Sequence, residues 1–492
     1  MRSYALLAMT ASAVALAAAC SSSEPAPQSP TTTLTREQLL DPATCKGCHP
    51  DAYREWSGSM HAYAADDPVF RAMNARGQRE TKGALGTFCV GCHAPMAVRD
   101  GLTKDGLDLD ALPAKLKGVT CYFCHTVDRV EGTHNAPLHL AGDATMRGGI
   151  ADPAPTGAHG SAHSPLLDRE HADSARMCGA CHDITNDHGA ALERTFAEWQ
   201  ASVFSQPGGA TCSQCHMEQS KEARPIATPS GSPPRRAHGH GFPGVDVSLT
   251  PGFPEEAAQR AAVESLLGTT LQSALCVKTI GDAAAVRVLV DNGAAGHGWP
   301  SGASQDRRVF FEVIAEKGGA RIYSSGVVPD GTPVTATLAS DPDLWLLRDC
   351  IADEAGKPVH MFWEAAQIEP RQLPAQVTFN ALDPRFYQGH IVQSYPRSGS
   401  TFAGIPDRVT LRVRVSPIGL DVLDDLVASG DLAPDVRARM PTFDVGETLV
   451  WTKEAAVDTY LEDRVPVSCV TKTNFNVQAD KTPAPPPGRC GG

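Results

Sequence analysis

Aromatic side chains are scarce in this chain: Phe, Tyr and Trp make up 6% of its 492 residues. Something other than those three residue types is therefore expected to supply part of the core. Positive charge is in deficit as well. Lys and Arg number 43 against 56 Asp and Glu, and the net charge of −13 argues against a nucleic-acid partner. Beyond residue 19 no apolar run reaches the ~18 uninterrupted residues that a membrane helix needs. The 42% hydrophobic and 20% charged fractions exclude wholesale disorder, and the length suits two to four domains. Against these lacks stand 15 Cys and 17 His, more than a cytosolic protein usually carries without a metal or cofactor.

The N-terminus reads as an export signal. Arg2 is followed by an apolar run from Tyr4 to Ala19 that ends at Cys20, which is too short for a spanning helix. The residues Leu16-Ala17-Ala18-Ala19 suit a lipoprotein signal peptidase, although Leu is more usual where Ala17 stands. Residues 1–20 are thus expected to be a lipoprotein-type signal peptide, with the mature chain anchored to a membrane by a lipid on Cys20. Ser21 to Thr33 (SSSEPAPQSPTTT) has the composition of a flexible tether, and residues 21–40 are read as a linker. The expected location is the periplasm or the outer membrane.

Ten of the Cys fall into one pattern used five times: Cys45-x-x-Cys48-His49, Cys89-x-x-Cys92-His93, Cys121-x-x-Cys124-His125, Cys178-x-x-Cys181-His182 and Cys212-x-x-Cys215-His216. At these compositions chance yields about 0.02 such matches. Two thiols three positions apart can each form a thioether to a haem vinyl group, and the next His then reaches the iron from one face of the porphyrin. Zinc knuckles would pair their CxxC units, and five is odd. A thioredoxin-type CxxC needs no following His. Five covalently bound haem c groups are therefore expected. With five motifs between residues 45 and 216, too little chain is available to wrap each haem separately, so the haems must pack on one another and serve as core. The motif intervals of 44, 32, 57 and 34 residues show no regular tandem repeat.

Residues 41–245 are read as a pentahaem domain of short helices and loops around stacked haems, ending near the linker-like stretch 225–234 (PIATPSGSPP). From 246 to 480 the composition shifts. Residues 408–415 (RVTLRVRV) alternate strictly, as a half-buried strand does, and 286–290, 309–315 and 376–380 look similar. Helices are expected over 255–277 and 421–429. The C-terminal domain is accordingly taken as mainly β and sandwich-like, followed by an extended Pro-rich tail, 481–492. Cys276, Cys350, Cys469 and Cys490 remain outside the motifs. In an oxidising compartment they are expected to form disulfides, with Cys276–Cys350 and Cys469–Cys490 preferred because that pairing pins the tail.

Twelve further His compete for the opposite, distal faces of five irons. His61 lies about 18 Å beyond His49 along a continuous helix, so it is expected to serve a neighbouring haem. The run CxxCHxxxYxxWxxSxH that contains it resembles the opening motif of the multihaem cytochromes c related to the tetrahaem electron carrier of ammonia oxidation, with the hydroxylamine oxidoreductases as more distant relatives. Residues 178–183 (CGACHD), 195–202 (TFAEWQAS), 212–217 (CSQCHM) and 238–242 (HGHGF) match as well. The resemblance covers about 40–245. It implies bis-His haems stacked in close pairs, electron transfer, a distal ligand at His238 or His240, and another ahead of the fourth motif, where His159 ranks above His163, with His171 also at hand. His134 or His139 is left for the remaining site. Met96 and Met217 stand on the wrong side of their own haems to be ligands and are read as packing residues.

The resulting expectation is an electron-transfer cytochrome rather than a catalyst, because imidazole on both faces of an iron blocks substrate access. The alternative is a multihaem oxidoreductase acting on a small nitrogen or sulfur compound at one haem with an open distal side. The ammonia-forming nitrite reductases also carry five haems but replace one motif His with Lys, and all five motifs here end in His. An acidic surface predicts redox partner proteins with basic docking surfaces. Finally, residues 293–302 (GAAGHGWPSG) form a Gly-rich loop after an expected strand, able to approach a flat surface closely. His297 at its tip is expected to supply one distal ligand and so join the two domains.

Overall fold

The structure, a computed structural model, describes residues 34–492 except 155–156, 229–232, 473–476, 478–481, 484–489 and 491–492. The signal-peptide, lipidation and tether expectations over 1–33 lie outside the described residues. Among the described residues no helix is long and apolar enough to cross a membrane. The linker expectation fails at its end. Thr35 caps the helix Arg36–Leu39 with a capping box, and Leu39 and Leu40 are buried against Tyr122, Phe123 and Leu166.

Residues 34–245 form short helices joined by small two-stranded ribbons. The turn that carries CxxCH is four to six residues long in the second, third and fifth motifs, and Pro at the first helical position restarts the chain after His49 and after His93. Arg224–Pro225 pairs with Pro234–Arg235.

The C-terminal part is built on two sheets that share one apolar layer. One centres on the antiparallel strands Leu271–Ile280 and Ala283–Asn292, the other on Arg308–Lys317 and Arg408–Ser416. Val286, Val288 and Val290 of the first meet Val309, Phe311, Val313, Val409, Leu411 and Val413 of the second, with Trp345 stacked on Phe311 at 3.9 Å. Strict alternation along 408–415 thus reports its inward face, as read from the sequence.

Three expectations need correction. The helix read over 255–277 ends at Thr270, and Leu271 begins a strand whose both faces are buried, so its apolar run imitated helical spacing. Residues 376–380 are irregular. The disulfides join Cys276 to Cys469 and Cys350 to Cys490. Cys276 and Cys469 are direct cross-strand partners, and their strands are neighbours only in the folded sheet. The tail is still pinned, with Thr482–Pro483 alongside Ile391–Tyr395 and Cys490 held by Cys350.

The two parts meet over an apolar seam. Val69, Ala72 and Met73 of helix Pro68–Glu80 pack on Val422, Leu423 and Leu426 of helix Leu420–Ala428. Arg79 makes a bidentate pair to Asp431 at 2.6 Å at its edge.

Candidate haem-binding cavity

One continuous cavity of about 1510 Å³ runs through the N-terminal part, and every Cys and His of the five CxxCH motifs lines it. His61, His159, His240 and His297 line it too. Each of these four faces one motif histidine. The ring centroids are 6.4 Å apart for His49 and His159, 6.3 Å for His61 and His182, 6.4 Å for His125 and His240, and 6.4 Å for His216 and His297. Two metal–nitrogen bonds of about 2 Å each take up most of such a gap, and the half-widths of two imidazole rings fill the rest. An iron with imidazole on both faces therefore fits all four places.

Backbone carbonyls set the ring orientation. Nδ1 of His49, His93, His125 and His216 donates to the carbonyls of Ile226, Ala64, Arg147 and Pro243, at 2.5–2.8 Å. Nδ1 of His159, His240 and His297 does the same to Gly160, His238 and Gly298, at 2.8–2.9 Å. Each of these bonds fixes the tautomer that leaves the Nε2 lone pair free for a metal. Burial lowers His61 to about 3 and His240 to about 4, with neighbouring imidazoles adding to the effect. Phe242 lies edge-on to His61 at 4.5 Å and to His240 at 5.9 Å, so it separates the two rings.

His61 thus faces the fourth motif and not its own. Of the pair His238 and His240, only His240 stands opposite a motif histidine. His238 is paired in a β-bridge with Gln219, and its Nε2 lies 3.3 Å from the Gln219 amide. His163 lies against Asp168 and His139 against Asp128, while His134 contacts the Thr133 hydroxyl and His171 accepts the Asp173 amide, all toward solvent. Met96 is buried among Val90, Tyr122 and Phe123, and Met217 borders the cavity.

The second motif is different. Among the described residues no histidine ring faces His93 across such a gap. Instead Phe70 stacks flat on the His93 imidazole at 3.9 Å. Phe70 follows the helix N-cap Asp67, two residues beyond the Ala64–Ala65 segment whose Ala64 carbonyl takes the His93 Nδ1 proton. The sequence reading missed this residue, since nothing in its spacing links Phe70 to His93. It also missed the polar wall of the cavity. Arg307 is bound to both carboxylate oxygens of Asp246 at 2.6 and 2.8 Å, and burial pushes Glu193 up to about 7 despite Arg307. The signal for Arg307 was present, as a polar run, Ser304 to Arg308, leading into an apolar strand.

The motifs are also close to one another. Cys45 and Cys121 meet within hydrogen-bonding reach, as do Cys92 with Cys181 and Cys178 with Cys212. The first motif therefore adjoins the third, and the fourth adjoins both the second and the fifth.

Comparison with known proteins agrees with this chemistry. The family described as cytochrome c554 and c-prime matches residues 44–126. No curated protein matches the chain significantly in sequence. In fold the chain is similar to the penta-heme cytochrome c552 from Thermochromatium tepidum, with a TM-score of 0.57 at 18% identity over 84% of this chain and 99% of that one. The repeated CxxCH pattern, the family match and the shared fold together make the chain a multihaem c-type cytochrome with covalently bound haem c.

Proposed function

We propose that the chain is an exported pentahaem electron carrier, related to the tetrahaem carriers of ammonia oxidation and more distantly to the hydroxylamine oxidoreductases. The observation that carries this reading is the set of four histidine pairs at 6.3–6.4 Å. In it His159, His61, His240 and His297 are the distal ligands of the haems on His49, His182, His125 and His216. Bis-imidazole haems supply electron transfer without an open coordination site. The motif cysteines that meet in pairs link the first motif with the third and the fourth with the second and fifth. Cys124 and Cys178 interact electrostatically, which links the third motif to the fourth and supports a conducting series. The proposal includes the Cys20 lipid anchor and partner proteins with basic docking surfaces, on the strength of the net charge of −13.

A second reading is favoured by one observation, the lack of a facing histidine at His93 among the described residues. In that reading the second haem takes a small nitrogen or sulfur compound as substrate. Electron paramagnetic resonance of the oxidised protein separates the two. The carrier reading expects four bis-imidazole low-spin signals and a fifth signal that ignores nitrite and hydroxylamine. A fifth, high-spin signal that shifts on adding either compound, with turnover, replaces it by the second reading.

A further inference from the structure

The motif intervals hide a repeat. Glu55-Trp56 followed by Ser59 recurs as Glu198-Trp199 followed by Ser202, and Gly118-Val-Thr-Cys121 recurs as Gly209-Ala-Thr-Cys212. The structure joins these two halves in the same way twice. Trp56 Nε1 donates to the Val119 carbonyl at 2.8 Å, and Trp199 Nε1 donates to the Ala210 carbonyl at 2.9 Å. Each acceptor lies two residues before the first Cys of a motif. Ser59 Oγ donates to the Trp56 carbonyl and Ser202 Oγ to the Trp199 carbonyl, both at 2.7 Å. A Cβ on Gly118 would lie 2.6 Å from the carbonyl oxygen of His61, and one on Gly209 would lie 2.1 Å from that of Phe204. His61 and Phe204 each stand five residues after their tryptophan, so the same close backbone approach demands Gly in both copies.

The glutamate gives the unit its purpose. Glu55 Oε2 accepts the backbone N–H of His240 at 2.9 Å. Glu198 Oε2 accepts the N–H of Gly298 at 3.0 Å and the Ser301 hydroxyl at 2.9 Å. His240 faces His125, in the motif that Trp56 anchors, and His297 faces His216, in the motif that Trp199 anchors. Adjacent residues on a helix project about 100° apart, which lets one short helix reach both sides of a neighbouring haem site.

We infer that Glu55 and Glu198 are positioning residues, each holding a distal histidine in register with the motif histidine whose backbone the adjacent tryptophan anchors. The inference rests on the ligand pairs proposed above. A carboxylate suits the task because its hydrogen bonds are roughly twice as strong as neutral ones. In the second copy the clamp crosses between domains. Asn292 Nδ2 holds the His297 carbonyl from the other side at 2.6 Å, and Thr195 Oγ1 accepts the Gly302 N–H at 3.1 Å. A Cβ on Gly298 would lie 2.8 Å from Glu198 Oε2 and 2.7 Å from Gln372 Oε1, so a side chain there would push the carboxylate aside.

The test uses the full holoprotein with Glu55→Ala and Glu198→Ala, and His240→Ala and His297→Ala as references. The readouts are the paramagnetic resonance spectrum and the rate of carbon monoxide binding to the reduced protein, which is limited by release of the distal imidazole. Each glutamate variant should raise that rate at one haem by about tenfold or more, the factor set by losing one charge-assisted hydrogen bond. The affected signal should be the one lost in the matching histidine variant, and added imidazole should restore it. Wild-type rates in both alanine variants, beside histidine variants that do lose a signal, overturn the inference. Histidine variants that keep every low-spin signal overturn the ligand reading instead. Should an alanine variant take up fewer haems, Glu198→Gln decides. Its neutral acceptor should raise the rate about threefold, and an unchanged rate refutes the clamp.

Discussion

Asp421→Ala is expected to unfasten the β-sheet part from the haem-binding part. Asp421 opens the helix Leu420–Ala428 and accepts Arg308 Nε and Nη2 at 3.0 and 2.7 Å. The Arg308 side chain is 1% exposed, and its remaining nitrogen donates to the carbonyls of Gln305 and Arg307 at 2.8 Å. Arg348 lies 3.6 Å from the same carboxylate. Removing Asp421 takes the paired carboxylate from the buried Arg308 guanidinium, a change that costs about 3–5 kcal/mol. For a domain of this size that is a fall in Tm of about 6–20 °C. The same helix packs on Pro68–Glu80, which carries Phe70 against His93, so the loss should reach the second haem site. Thermal unfolding followed by tryptophan fluorescence, which bound haem quenches, measures it. A Tm within about 2 °C of the wild type refutes the reasoning. Replacing Arg308 by Met and Asp421 by Leu together should recover part of the loss. Burial would raise the Asp421 pKa, yet Arg308, Arg348 and His360 hold it below the usual carboxylate value. With the folded value depressed, its stabilisation is present above about pH 4 and disappears as the pH falls through that folded value.

Three further outcomes are expected. Asp306 behaves in the opposite sense, because burial raises it to about 6 despite Arg308 and Arg307. Its folded state favours the proton, so it should lower wild-type stability as the pH rises from about 4 to 6, by up to about 3 kcal/mol. Asp67, Asp183 and Glu193 are raised in the same sense, so Asp306→Asn should reduce that slope by its own share; an unchanged slope rules Asp306 out as a contributor. Non-reducing digestion with mass spectrometry should recover linked peptides containing Cys276 with Cys469 and Cys350 with Cys490. Any other pairing contradicts the sheet register. Opening the second bridge by Cys350→Ser with Cys490→Ser frees a span of 140 residues, and about 5 kcal/mol of stability should go with it by loop-closure entropy.

By itself the sequence determined what is local. A thioether haem site needs two Cys and a His within five residues, so the five motifs stand out in one dimension. The strand over 408–416 likewise shows its buried face as simple alternation. His61 does face another haem site, as expected, but the continuous helix behind that expectation is broken at Gly58 and Ser59. What only the tertiary structure decided is everything that depends on distant segments meeting. Cys276 finds Cys469 because their strands lie side by side across a span of 193 residues. His240 is set apart from His238 by two residues, and the Glu55 carboxylate on its amide comes from a helix 185 positions away. His297 meets His216 because Glu198 catches the next residue of its loop across the domain seam. The repeated Glu-Trp unit was visible as letters, yet its second half follows the first by about 60 residues in one copy and about 10 in the other. Only the fold shows them as the same object, since a backbone carbonyl that accepts a tryptophan N–H leaves no trace in residue type.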